Sequence, residues 1–147
     1  MKRTSHQDAD CPIARSLDAI GDWWSLLIVR DALMGRSRFG EFQKSLGMAK
    51  NILSARLRSL ADLGILETVP AADGGPHREY RLTQKGRDLY WVLVALRQWG
   101  DKYQFPGGTS PTRLVDSLNG QTVRPLELHA EDGRQIGPGD TRVVPRV

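Results

Sequence analysis

Residues 36–64 read RSRFGEFQKSLGMAKNILSARLRSLADLG, and this stretch decides the fold. It predicts two helices, from about Phe39 to Leu46 and from about Ala49 to Leu63, parted by Gly47 and stopped by Gly64. In the second of these, Leu53, Leu57, Leu60 and Leu63 recur at spacings of three and four and face inward. A rotation of ~100° per residue puts Asn51, Ser54, Ala55 and Arg58 on the opposite side. From Arg36 to Arg58 there are six basic residues (Arg36, Arg38, Lys44, Lys50, Arg56, Arg58) against one acid, Glu41, a net +5 over 23 residues.

Working outward, Cys11-Pro12 opens a helix to about Ile20, since proline suits the first helical position, where its missing N–H costs nothing. Ile13, Leu17 and Ile20 form its apolar stripe. Asp22 is a natural cap for a second helix from about Trp23 to Leu33, apolar on most sides and therefore central, which Gly35 ends. On the C-terminal side, Ile65–Val69 and Arg78–Leu82 read as an antiparallel pair of strands. Between them, residues 70–77 (PAADGGPH) have strong turn chemistry. Thr83 is expected to cap one long helix to about Tyr103. Its residues Leu89, Val92, Leu93, Leu96 and Trp99 form one apolar stripe, and Tyr90, Trp91, Val94 and Ala95 a second. A helix apolar on two faces needs two partners, and a second copy of the chain supplies the other; the alternative cover is the C-terminal tail.

The expected architecture is mainly α with a small β-wing (α+β), a winged helix-turn-helix that is dimeric. Residues 1–10 are a flexible arm, 11–103 the main domain, and 104–147 a linker and a small β-rich C-terminal appendage. Its strand-like runs are Leu114-Val115, Gln121–Val123, Leu126–Leu128 and Arg142–Val144. At 39% hydrophobic residues in 147, the chain is lean for an isolated monomer, which again favours a core shared between copies.

The formal charge of +4 lies in the first 103 residues, with 16 basic and 12 acidic side chains; residues 104–147 hold five of each. A basic balance of that kind points to nucleic acid. Lys50 and Asn51 stand at the start of the fourth helix, where a helix-turn-helix meets bases. Asparagine can pair bidentately with adenine. Ser54 and Ala55 are small enough for close approach to base edges. Arg58, Arg36 and Arg38 are expected at phosphates. His77 and Arg78, at the base of the wing, suit a minor groove or the backbone, although a plain hairpin edge explains them nearly as well.

A single cysteine, Cys11, excludes an intramolecular disulfide. The N–H groups of a helix N-terminus favour a nucleophilic thiol, Arg15 adds to this, and Asp8 and Asp10 oppose it; the alternative is an inert, partly buried thiol. His6, His77 and His129 stand far apart, and no nucleophile elbow, phosphate loop or metal-ligand spacing occurs, so neither an enzyme nor a cofactor is expected. No apolar run is long enough to span a bilayer and the first residues carry no secretory pattern, so a cytoplasmic protein is expected.

The blocks Cys11–Ile13, Ile20–Ile28, Arg38–Phe42, Leu53–Leu60 and Glu79–Gly86 together resemble the HxlR family of bacterial transcription regulators, relatives of the MarR-like winged-helix proteins. The resemblance covers about residues 11–103. It implies a homodimeric repressor on an inverted-repeat operator, with the fourth helix in the major groove and the wing beside it. It also implies a dimer held by the first and last helices, here Ile13, Leu17, Leu89, Trp91, Val92, Leu96 and Trp99. In some members a cysteine matching Cys11 responds to oxidants or electrophiles. This chain departs from the pattern at Ala49-Lys50-Asn51, where a capping serine is common, at Trp23 and at His77. Some relatives carry a cysteine-bearing ribbon after the last helix; here Asn119, His129 and Asp132 make too poor a ligand set for zinc. Two other functions compete: a winged module that binds protein, and a regulator whose signal is a small molecule held in an apolar pocket.

Overall fold

The computed structural model describes residues 3–146, in two compact units, Met1–Leu93 and Val94–Val147. In the first unit α1 is Pro12–Ile20, α2 Ser25–Leu33, α3 Phe39–Leu46 and α4 Lys50–Asp62. Strands β1 (Leu66–Pro70) and β2 (Arg78–Leu82) pair antiparallel with Leu66 opposite Leu82 and Pro70 opposite Arg78. Then follow α5 (Gln84–Arg87) and α6 (Tyr90–Tyr103), which belongs to the other unit from Val94 onward.

The core of the first unit is built from Ile28 and Val29 of α2, Phe42 of α3, and Leu53, Leu57 and Leu60 of α4, closed by Met48, Ile65, Leu66 and Leu82. Side chains of this size each contribute about 1.5–3 kcal/mol when fully buried. Phe42 meets Tyr80 of β2 edge-on, with ring centroids 6.4 Å apart, and so fastens the hairpin to the helices. Between α3 and α4 the chain reverses at Gly47, whose φ of 65° is in the left-handed region open to glycine.

Three local expectations are modified. Residues 3–10, expected as a flexible arm, lie back on α1: Arg3 donates to the carbonyls of Leu17 (2.8 Å) and Asp18 (3.1 Å), and the His6 amide donates to the Asp18 carboxylate (2.9 Å). Met1 and Lys2, the rest of that segment, lie outside the described residues. The helix expected to begin at Trp23 begins at Ser25, because Asp22 accepts the amides of both Trp24 and Ser25 (3.0 Å each) and thereby builds a turn first. The single long helix expected from Thr83 is broken at Asp88-Leu89 into α5 and α6. The Thr83 hydroxyl accepts the Gly86 amide (3.2 Å) and reaches the Gly64 and Ile65 carbonyls, while Lys85 donates to the Leu63 carbonyl (2.6 Å). This anchorage holds Gly86 so close that a Cβ there would stand 2.3 Å from the Ile65 carbonyl oxygen. The chain turns before the helix resumes.

Burial pushes the Asp22 carboxyl up, but the Ser25 hydroxyl, the Trp24 and Ser25 amides and Arg56 outweigh it, leaving Asp22 below the usual carboxylate range. A carboxyl lowered by folding adds stability that is present above the unfolded value, about 3.9 for aspartate, and lost as pH falls through the folded one. Asp22→Ala is expected to lose about 0.5–2 kcal/mol at pH 7, and the gap to wild type should narrow below about pH 4. Urea melts across that range would show a pH-independent gap if the carboxylate had no such role.

The second unit holds the rest of α6 and the C-terminal extension. Gln98 bonds the Arg124 carbonyl and the Leu126 amide (3.3 and 2.8 Å), Arg97 the Thr112 hydroxyl (2.7 Å) and Asp101 the Ser110 amide (2.6 Å). Two of the expected strand runs meet each other, Val115 bridging Thr122, and a third ends in β3 (Leu128–His129), which pairs with β4 (Gln135–Ile136), a segment not expected as a strand. Arg142–Val144, expected as a strand, has no partner strand among the described residues and Val143 is fully exposed. No residue from 104 to 146 is buried, so this extension has no core of its own.

Candidate nucleic-acid interface

Helix α4 presents the surface expected from its periodicity. Leu53, Leu57 and Leu60 face the core, and Lys50, Asn51, Ser54, Ala55 and Arg58 are exposed. Ala49, the residue before the helix, caps with no side chain, so the first N–H groups of α4 stay open beside Lys50 and Asn51.

The six basic residues of 36–58 divide into two groups. Among the described residues, Lys44, Lys50 and Arg58 have no carboxylate partner within 4.0 Å. The other three are engaged. Arg56 stands 3.7 Å from Asp22. Arg36 stands 3.6 Å from Asp31, whose carboxylate also accepts Arg30 (3.0 Å). Arg38 donates to Asp73 (2.7 Å) and lies 3.5 Å from Glu79. The expectation of a uniformly available +5 surface is therefore reduced to three free cations, because acids distant in sequence claim the rest.

Beside α4, the wing closes through the Ala71 amide, which donates to the His77 carbonyl (3.2 Å). His77 and Arg78 are exposed, and Arg78 also reaches the Thr68 carbonyl across the hairpin (3.3 Å). Between the wing and the first turns of α3 lies an open cleft of about 620 Å³, lined by Arg38, Phe39, Lys44, His77, Arg78 and Tyr80 among others. Lys44 was counted in the basic run yet not singled out as a site residue; its free charge in this cleft places it with His77 and Arg78. Asp31 was missed altogether. It is fully buried on α2, one turn after Leu27 and Ile28, and that spacing was the available signal.

Of the residues expected at a dimer contact, Ile13 (71%) and Leu17 (54%) of α1 and Trp91 (63%), Val92 (41%), Leu96 (49%) and Trp99 (57%) of α6 are exposed. Leu89 differs. With Leu93, one helical turn on, it packs against the core of its own unit. Cys11 is exposed at the head of α1 in the single chain. Among the described residues no helix is long and apolar enough to cross a membrane, and no three of His, Cys, Asp or Glu group to hold a metal ion.

A core closed by α2, α3 and α4, a glycine turn between α3 and α4, an exposed outer face on α4 and a hairpin beside it form a winged helix-turn-helix. Residues 19–107 match the family described as HxlR-like helix-turn-helix. The chain belongs to the HxlR-like family. Like others of that family, it is a transcriptional regulator with a DNA-binding helix-turn-helix. It is 37% identical to an uncharacterised HTH-type transcriptional regulator of Mycobacterium tuberculosis, over 90% of this chain and 84% of the relative. Among solved structures it is similar to PA1607, described as a candidate transcription factor, with 57% identity, a TM-score of 0.92 and coverage of 97% and 100% of the two chains. It is also similar to the reduced form of the redox regulator HypR, with 28% identity, a TM-score of 0.59 and coverage of 64% and 94%. The first two matches span nearly the whole of this chain, and the third about two thirds of it.

Proposed function

We propose that this HxlR-like chain is a homodimeric, sequence-specific repressor that binds an inverted-repeat operator in double-stranded DNA. The observation that carries the reading is the outer face of α4, where Lys50, Asn51, Ser54, Ala55 and Arg58 stand exposed with two unpaired cations. Lys50 and Asn51 meet base edges in the major groove, and Arg58 meets a phosphate. Arg36, His77 and Arg78 flank the groove. Two copies are needed because a palindromic operator offers its half-sites about one helical turn, ~34 Å, apart. The exposed apolar side chains of α1 and α6 are the supply for that pairing. Repression follows from a bound dimer occluding a promoter.

The test begins with duplexes selected from a randomised pool by the purified protein. Arg58→Ala should weaken every duplex alike and lower the slope of log affinity against log salt by about one. Asn51→Ala should relax the preference at one base position, at a cost of about 1–3 kcal/mol. Binding that survives both changes would overturn the groove assignment.

A signal acting at Cys11 is the regulatory reading we favour over a ligand pocket. It is the sole thiol, it is exposed and it heads a helix. Two solved forms of the redox regulator HypR, reduced and oxidised, are among the similar structures. Diamide or a quinone should release wild type from its selected duplex, and Cys11→Ser should stay bound. Equal release of the two would sink this role for the thiol.

A further inference from the structure

The wing loop is poorly anchored by apolar contact, for of residues 71–77 only Ala71 is buried. Polar contacts hold it instead, and they converge on Arg38. The Arg38 guanidinium donates to Asp73 in the loop (2.7 Å) and lies 3.5 Å from Glu79 on β2, bridging residues 35 and 41 positions away. Its two acids are themselves tied to the loop: Asp73 accepts the Gly75 amide (2.9 Å) and Glu79 the Ala72 amide (3.4 Å). The root of Arg38 is fixed as well. Its amide and that of Ser37 both donate to Glu41 of α3 (2.9 and 3.1 Å), and the Ser37 carbonyl accepts the Tyr80 amide of β2 (2.7 Å).

We infer that Arg38 is a positioning residue, a latch that joins the wing loop to the first turn of α3 through Asp73 and Glu79 and so sets how far His77 and Arg78 stand from the exposed face of α4. This role rests on the DNA-binding reading above and replaces direct phosphate contact by Arg38 within it. Two carboxylates already share its charge, so a phosphate would have to displace them. Left unpaired, the same two carboxylates would repel the DNA backbone beside the wing. A guanidinium suits the task because its planar fork serves two acceptors at once, which a lysine ammonium does less well.

The test uses the full chain with Arg38→Met, Asp73→Asn, Glu79→Gln and the Arg38→Met/Asp73→Asn double variant. In the free protein, amide exchange of residues 71–77 should quicken about 1.5- to fivefold in each single variant while α4 amides keep their rates, as an exposed pair of this strength would give. On a duplex selected by the wild type, Arg38→Met and Asp73→Asn should both lose affinity, Arg38→Met the more because it strands two carboxylates; the double variant should lose no more than Arg38→Met, and the salt slope should hold. Unchanged exchange in the wing overturns the latch without reference to DNA. A salt slope lowered by about one in Arg38→Met, with affinity kept or raised in Asp73→Asn, overturns it in favour of phosphate contact. A wild type that selects no duplex overturns the DNA reading itself, and with it any part for the latch in binding.

Discussion

Removing Arg30 and Arg36 together, as methionines, is expected to cost about 3–5 kcal/mol of unfolding free energy. The reason lies with their common partner. Asp31 is fully buried on α2, one carboxylate oxygen accepts Arg30 and faces Arg36, and the other has no hydrogen-bond partner. With both guanidiniums gone, a buried charge is left without compensation. The reverse change is milder. Asp31→Ala leaves two half-exposed arginines that water can solvate, so it should cost less than the double arginine variant. Adding Asp31→Asn to that variant should recover a large part of the loss, because it removes the stranded charge. Urea melts of the four proteins check the scheme; a double arginine variant within about 1 kcal/mol of wild type would show that the carboxylate finds its compensation elsewhere.

Leu96→Glu is expected to convert the proposed homodimer to a monomer and to lower affinity for a two-half-site duplex by about 10²–10⁴-fold, the advantage that a second linked contact confers. Leu96 is exposed in the single chain, so the glutamate meets water there and the fold should keep its melting temperature. In a dimer built on this face the same charge would be buried against its own copy. Light scattering reads the mass, and titration of a selected duplex and of its isolated half-site reads the affinity. If the variant keeps both the mass and the affinity of wild type, α6 is not the pairing surface. Leu93→Glu is the contrasting change, since Leu93 packs against the core of its own unit and should lose stability rather than only assembly.

Most of the secondary structure was legible in the sequence. Helix α1 and strand β2 match their expected limits, and α4 lies one residue inside its own at each end. Their signals are proline at a first turn, glycine at a stop, and leucines three and four apart. The break at Asp88-Leu89 was not legible, because its cause is the Thr83 and Lys85 bonds to the Leu63–Ile65 carbonyls some twenty residues earlier. Nor was it legible that Leu89 would pack inward beside Leu93 while Trp91, Leu96 and Trp99 stay exposed.

The candidate site divides in the same way. The exposed face of α4 could be drawn from rotation along one helix. The availability of each charge could not. Arg36, Arg38 and Arg56 read as equal to Lys50 and Arg58 when counted along the chain, yet their partners Asp31, Asp73, Glu79 and Asp22 are brought to them by the packing of α2, α4 and the wing.

What the sequence determined by itself, then, are the features whose causes lie within about one helical turn: where helices begin and end, which side of each is apolar, and where the wing reverses. The tertiary structure alone decided which cations stay free, which carboxylate is entombed, and where the last helix breaks. Electrostatic partners are chosen by distance in space, and residues separated by tens of positions meet only once the core around Phe42 has closed.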